Sequence, residues 1–254
     1  MSRCVDLCSD QPLLGSASLA RWLVVVDQPR PWPSKTQDGL SLPEEWLERL
    51  EMWRAAREPV TLLARHSDQG QLHCFGWNQG QVEEWGRPGQ PVGEKLLVCT
   101  HGSRDSCCGS LGPRLAQLLR PHHEVWEVSH IGGHRFAPTF WHLPSWRVYG
   151  RLPLDEPNWS NPRYLRGNAA YSAPLQVMEA HLFQQRGEWP LWMEPHEGGC
   201  LVHWPSGQTE TWRFTLAKHQ HRGPMSCRDI PQGIDDGYTS LEVTQAVNEQ
   251  LSTS

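Results

Sequence analysis

The sequence predicts an α/β fold, because strand-like and helix-like patterns alternate along most of its 254 residues. The apolar run at 96–98 has the character of a buried strand, and leucines at 111, 115, 118 and 119 recur at the spacing of one helix face. Residues 125–128 then alternate as a strand does. A chain of this length can bury a real core in one large domain or two small ones.

The N-terminal part predicts a strand, a helix and three further strands, which would form a small α/β unit of their own. Residues 18–27 give the first strand, and an apolar helical pattern follows the capping-box sequence at 41–44. Glycine-containing turns separate three short strands at 60–64, 71–77 and 81–85. Cys4 and Cys8 precede this unit in a polar lead that we expect to be loosely ordered.

The rest of the chain predicts a hairpin at 139–149, a helix that Ser172 opens and that ends before Gly187, and strands at 199–204 and 209–216, with a frayed tail from Leu251. We therefore expect three parts. These are an N-terminal α/β domain at 1–92, a second α/β domain at 93–187 and a short β-rich extension at 188–254.

Composition limits the kinds of function the chain can have. A formal charge of −5 argues against a general nucleic-acid binder, and no apolar run approaches the length of a membrane span. The apolar run at 22–26 is too short for a signal peptide, so we expect a cytoplasmic protein without a membrane partner. In that reducing compartment, clustered members of the eight cysteines are expected to be ligands or redox groups rather than disulfides.

Two predicted strands end at loops that carry metal-ligand side chains. Cys99 and Cys108 form a C-x8-C pair after the first strand, and His130 and His134 form an H-x3-H pair after the second, with two glycines that allow a tight turn between them. An α/β fold can assemble a metal site from two such strand ends. Zinc, an iron–sulfur cluster and a thiol redox centre all remain candidates, although C-x8-C is long for structural zinc and suits a wider [2Fe–2S] cluster better.

Four neighbouring residues could support this site. Cys107 adjoins Cys108, and adjacent side chains rarely both reach one metal, so we interpret it as a spare thiol or supporting group, with ligation as the alternative. His101 is expected to orient the loop or to donate a hydrogen bond to a cluster sulfur, with ligation as the alternative. Arg104 and Arg135 are either solvated, or they offset cluster charge or meet an acidic redox partner. A Rieske site is rejected because the second C-x2-H box is missing.

At these residues the sequence resembles a known family. The stretches CTHGSRDSCC, WEVSHIGGHRFAP and YGRL, with the opening CSDQPLLGSA and ARWLVV, are similar to the sucrase/ferredoxin-like family, and the likeness fades after about residue 185. The resemblance implies two thioredoxin-like α/β layers, the second a thioredoxin-like ferredoxin. It also implies a [2Fe–2S] cluster held by Cys99, Cys108, His130 and His134. Many relatives carry an acidic residue at the position of His134, so its presence favours two cysteines and two histidines.

The function expected from these features is one-electron transfer or redox sensing with an unidentified redox partner protein and no substrate chemistry of its own. Proton uptake by the histidines on reduction is a further expectation. A structural zinc-binding interaction protein with the same ligands is one alternative. A thiol–disulfide enzyme using Cys107 or Cys108 is another, although the C-x-x-C spacing is absent. No carboxylate pair is marked out for glycoside hydrolysis. The sequence assigns no role to Cys4, Cys8, Cys74, Cys200 or Cys227.

Overall fold

The computed structural model describes residues 3–155, 157–235 and 237–249, and within them it contains a nine-stranded mixed sheet and a four-stranded antiparallel sheet. The large sheet has the order β4-β3-β1-β2-β6-β5-β7-β8-β9. Its strands are β1 Trp22–Asp27, β2 Val60–Arg65, β3 Leu72–Asn78, β4 Gln81–Glu84, β5 Lys95–Cys99, β6 Val125–Val128, β7 Thr139–Leu143, β8 Arg147–Gly150 and β9 Leu165–Asn168. The helices are α1 Cys4–Leu7, α2 Glu44–Ala55, α3 Ser106–Leu119 and α4 Ala173–Arg186. The α/β class is confirmed.

The large sheet is built from two units with the same connections. In the first, β1 pairs with β2 in parallel and with β3 antiparallel, and β4 follows at the edge. In the second, β5 pairs in parallel with β6 and antiparallel with β7, and β8 follows. The units meet where β2 pairs with β6, so they lie side by side in one sheet rather than as separate layers. The expected domain division at 92 and 187 stays a prediction.

Alternate residues of the central strands pack against different partners, as the period of two along a strand requires. On β1, Val24 and Val26 pack with Leu50 and Trp53 of α2. On β5, residues 96 and 98 pack with the apolar face of α3, while residues 97 and 99 face a core shared by both units. Cys99 is therefore the last of four consecutive buried residues in β5.

The C-terminal part forms the second sheet, whose strands are β10 Trp192–His196, β11 Gly199–His203, β12 Thr209–His221 and β13 Tyr238–Asn248. Its apolar face packs with Leu175, Met178 and Leu182 of α4. The sequence patterns predicted β11 and the first part of β12 but missed β9, β10 and β13. The tail from Leu251 lies outside the described residues.

Two expectations about the N-terminal part are wrong. Cys4 and Cys8 are completely buried, and Cys4 begins the short helix α1, so the lead is packed rather than loose. Helix α2 begins at Glu44 after Pro43, and no side chain caps it, so the capping box does not form. No helix in the described part of the chain combines the length and apolar character needed to cross a membrane.

Gly112 sets how closely α3 approaches the end of β5. A Cβ atom at this position would lie 2.0 Å from the Cys99 carbonyl oxygen, which is well inside van der Waals contact. Because the obstructing atom belongs to the backbone, no side-chain rotation can relieve the clash. The glycine therefore allows the first turn of α3, which carries Cys108, to lie against the strand end that carries Cys99.

We expect Gly112→Ala to destabilise the protein, because the overpacking cost of about 1–3 kcal/mol or more outweighs the helix-propensity gain of about 1 kcal/mol. Urea unfolding measures the change. Gly93→Ala is the control, since its nearest neighbour would be Lys95 Nζ at 3.7 Å. A stability for Gly112→Ala at or above that of the native protein would show that α3 can move away from β5 without cost.

Candidate metal centre

Three of the four predicted ligands converge at the end of β5. The ligand atoms of Cys99, Cys108 and His130 all lie within 4.8 Å of one another. Cys99 Sγ is 4.0 Å from His130 Nδ1. The fourth residue, His134, continues the group on the far side of His130, with His134 Nδ1 3.2 Å from His130 Nε2. The cysteine pair and the histidine pair thus lie side by side, although the assignment of all four as ligands stays a prediction.

The two halves of the group differ in exposure and charge. Cys99 and Cys108 are completely buried, whereas His130 and His134 are half-buried. A hydrogen bond from the Cys108 thiol holds the pKa of Cys99 well below its usual value, and the same bond raises the pKa of Cys108. Burial, and then the neighbouring His130, lowers the pKa of His134 to about 4. These shifts favour the thiolate of Cys99 and the neutral imidazole of His134, which are the forms that bind metals.

His101 uses both ring nitrogens in hydrogen bonds. Its Nε2 donates to the Pro33 carbonyl oxygen at 2.9 Å, and its Nδ1 accepts from the backbone N–H of His130 at 3.1 Å. Burial lowers the pKa of His101, which favours this neutral tautomer. Both ring nitrogens of His101 are thus engaged, and the one bonded to His130 ties it to the start of the histidine loop, while its role at the site stays a prediction.

The loop between the two histidines turns through two left-handed residues. Gly132 and Gly133 have φ values of +86° and +69°, a region that glycine enters at little cost. A Cβ on Gly133 would lie 2.4 Å from the guanidinium of Arg166. The loop can therefore rest directly on that side chain only because glycine stands there.

Arg166 is the residue of this site that the sequence reasoning missed. It is 1% exposed, and it donates hydrogen bonds to the Gly132 carbonyl oxygen at 2.9 Å, to the Ser16 carbonyl oxygen at 2.6 Å and to Ser16 Oγ at 3.1 Å. It lies on β9, which was not predicted, and no motif spacing links it to the histidines. Only the folded sheet brings it beneath the loop.

Arg135 is buried, so the interpretation of this residue as solvated is wrong. It is 3% exposed, and its guanidinium carbon lies 4.3 Å from the ring centroid of Tyr238. Its Nε and Nη1 have no hydrogen-bond partner among the described residues. Arg104 is half-buried, and its charge helps to keep the pKa of His134 low.

Three guanidinium groups near the site form no ion pair with a carboxylate among the described residues. Arg135, Arg151 and Arg166 lie around the Phe136 ring at 5.0, 4.9 and 5.5 Å, and none of the three is paired with a carboxylate among the described residues. Burial lowers the pKa of Arg166 to about 10, and the neighbouring acidic groups of Tyr238, Cys108 and Cys99 act against that shift. Since a buried charge is stable only when compensated, these guanidinium groups favour an anionic, thiolate-bound centre beside them.

Cys107 belongs to a different group of side chains. Its sulfur lies 3.5 Å from Cys4 Sγ and 3.1 Å from Cys227 Sγ. Sequence patterns assigned no role to Cys4 and Cys227, because their separation along the chain hides their contact.

Comparisons with known proteins agree with the family resemblance over the central part of the chain. Residues 61–157 match the model of the sucrase/ferredoxin-like family. This matched segment contains both the C-x8-C and the H-x3-H pair of this chain. The chain is 33% identical over 60 residues to "Altered inheritance of mitochondria protein 32" of Meyerozyma guilliermondii, covering 20% of this chain and 21% of that protein. It is 44% identical over 55 residues to the protein of the same name from Eremothecium gossypii, covering 19% of this chain and 18% of that protein. The matches thus span about a fifth of each relative. No solved structure matches the chain significantly.

We expect Arg166→Lys to loosen the histidine loop, because lysine keeps the charge but cannot donate in the same fork geometry. Losing one hydrogen bond from a charged group costs about 1.5–3 kcal/mol, which urea unfolding would measure. The exposed Arg163, three residues away on the same segment, provides the control as Arg163→Lys. Equal stability of the two variants would mean that Arg166 does not hold the loop.

Proposed function

We propose that this protein is an iron–sulfur redox protein. Its [2Fe–2S] cluster would be held by Cys99, Cys108, His130 and His134, and it would transfer or sense single electrons. The observation that carries the proposal is the meeting of a buried cysteine pair and a half-buried histidine pair at the end of one strand. Cysteine thiolates are the common ligands of such clusters, and in Rieske centres two histidines replace two cysteines on one iron. The adjacent cysteine pair and histidine pair suit such an arrangement, in which one iron is held by cysteines and the other by histidines.

The environment supports an anionic centre of this kind. The buried guanidinium groups of Arg135 and Arg166 have no carboxylate partner among the described residues, and a thiolate-bound cluster would supply negative charge next to them. Bound there, a [2Fe–2S] cluster would supply a reversible one-electron couple. The chain itself would hold the cluster, exclude water from the cysteine side and leave the histidine side closer to the surface.

That asymmetry suggests where a redox partner protein would approach. His130 and His134 are half-buried, whereas the cysteines are completely buried, so the shortest route for an electron passes the histidines. Arg104 is a half-buried cation near His134, and we propose that it meets an acidic surface of the partner. The identity of the partner, a cytoplasmic location and proton uptake by the histidines stay predictions.

Zinc is the alternative occupant, because cysteine and histidine are also its usual ligands. The thiol–disulfide alternative has less support, since the sulfurs of Cys107 and Cys108 belong to different groups. The names of the two relatives concern the inheritance of mitochondria, and we take no activity from them because the matches cover so little of either protein.

The test of the cofactor is the visible spectrum of protein purified without oxygen, together with iron and acid-labile sulfide analysis. We expect a red-brown protein with iron and sulfide in equal amounts, about two of each per chain, because a [2Fe–2S] cluster contains both. One zinc bound by these four residues, with no sulfide, would contradict the proposal.

Substitutions would then identify the ligands. Cys99→Ser and Cys108→Ser should each lose the iron and the visible absorption, because serine supplies no thiolate. Cys107→Ser is the matched control, since it changes the neighbouring residue of the same helix turn and should keep the iron. If Cys107→Ser bleached the protein and Cys108→Ser did not, the second cysteine ligand would be misassigned.

Replacing histidines by cysteines should lower the reduction potential, because a thiolate adds negative charge that opposes the incoming electron. Reduction potentials of roughly −400 mV for all-cysteine clusters and −150 mV or higher for bis-histidine clusters imply a fall on the order of 250 mV for the double variant. Redox titration of His130→Cys and His134→Cys, singly and together, measures this. A potential unchanged in all three variants with the cluster intact would show that the histidines are not ligands.

A further inference from the structure

Three cysteines from distant parts of the chain form a compact triangle beside the first turn of α3. Cys4 Sγ lies 3.5 Å from Cys107 Sγ and 3.4 Å from Cys227 Sγ, and Cys107 Sγ lies 3.1 Å from Cys227 Sγ. Cys4 and Cys107 are completely buried, and Cys227 is half-buried. The three come from the N-terminal helix, from α3 and from the loop between β12 and β13, so only the fold brings them together.

Asp105 holds two corners of this triangle in place. Its Oδ1 accepts a hydrogen bond from the backbone N–H of Cys107 at 2.8 Å, and its Oδ2 accepts one from the backbone N–H of Cys227 at 2.9 Å. Its Oδ1 also lies 4.0 Å from Cys4 Sγ. The carboxylate is 2% exposed and is therefore fixed among the three thiols.

We propose that Cys4, Cys107 and Cys227, with the carboxylate of Asp105 as the fourth ligand, form a second metal site that binds one zinc ion. All four ligand atoms lie within 4.8 Å of one another. Zinc in a tetrahedral site with zinc–sulfur bonds of about 2.3 Å places its sulfurs about 3.8 Å apart, which the triangle reaches by small outward movements. Soft thiolate ligands select zinc over magnesium or calcium.

A disulfide explains the triangle less well. A disulfide would bring two sulfurs to about 2.05 Å and leave the third without a role. The three near-equal separations, and a carboxylate held against all three residues, instead describe a set of ligands around one point. In a reducing compartment, where free thiols persist, such a set is available to a metal.

The zinc site would tie the N-terminal helix α1 and the loop between β12 and β13 to the helix that carries a ligand of the proposed iron centre. Cys4 and Cys227 are 223 residues apart in sequence, and Cys107 directly precedes Cys108. A structural zinc site adds its binding free energy to folding. The site does not depend on the iron centre, since the two share no ligand.

The test measures zinc and iron in the same samples by mass spectrometry of the metals, using full-length protein purified anaerobically with reductant from zinc-supplemented cells. We expect about one zinc per chain, as a closed structural site holds. Cys4→Ser and Cys227→Ser should each lose most of that zinc while iron and visible absorption stay at native levels. Cys8→Ser is the control, because Cys8 is buried in the same lead but lies outside the triangle. It should keep both metals.

A second measurement needs no variant and so does not depend on whether a variant folds. Because Cys227 is only half-buried, its alkylation rate should report metal protection rather than burial. With zinc bound, Cys227 should react slowly with iodoacetamide, and a zinc chelator should speed its reaction while the iron absorption persists.

Four results would each overturn the proposal. They are native protein without zinc, zinc retained in both variants, iron in place of zinc, and a disulfide among these cysteines in reduced samples. None of these results bears on the iron centre, which the visible spectrum reports separately.

Discussion

The candidate site depends on the hydrogen bonds of one buried guanidinium group, that of Arg166. A positive charge taken out of water is costly unless each of its donors finds an acceptor. Here the acceptors are the backbone and side chain of Ser16 and the carbonyl group of Gly132, so the N-terminal segment, β9 and the histidine loop must assemble together. The same side chain leaves no room for a Cβ at Gly133. The position of the histidine pair is thus fixed by a residue that would not bind the metal.

The two units of the large sheet share one topology but carry different side chains at the end of their first strand. Asp27 ends β1 opposite Arg65 of β2, and Cys99 ends β5 opposite Val128 of β6. In the first unit the strand ends are joined by an ion pair, with Arg65 Nη2 2.8 Å from Asp27 Oδ2. In the second unit the same strand end carries the first cysteine of the candidate metal centre. Arg65 and Val128 are also the residues through which the units pair, so the metal centre lies next to the joint between them.

The sequence predicted correctly those elements whose residues form a pattern over a few consecutive positions. The strands from β1 to β8 and the helix faces of α3 and α4 follow from apolar periodicity, and the cysteine and histidine pairs were recognisable because each directly follows a strand. Contacts between distant residues have no such pattern. Arg166, the burial of Arg135 beneath Tyr238 and the contact of Cys4 with Cys227 all depend on packing between segments far apart in sequence. The capping box was predicted from a local motif and is nevertheless absent. The helix begins at Glu44, after Pro43, so Ser41 does not stand at its N-cap.

The adjacent cysteines 107 and 108 can serve two centres because of helix geometry. Successive residues of an α-helix point about 100° apart, so two neighbouring side chains diverge rather than converge on one ion. Cys108 accordingly belongs to the group with Cys99 and His130, and Cys107 to the group with Cys4 and Cys227. Both sulfurs lie in the first turn of α3, where the partial positive charge of the helix N-terminus favours thiolates. A movement of this one turn would therefore change the ligands of both groups at once. The two groups share this turn of α3 but no ligand, so each can lose its metal while the other keeps its own.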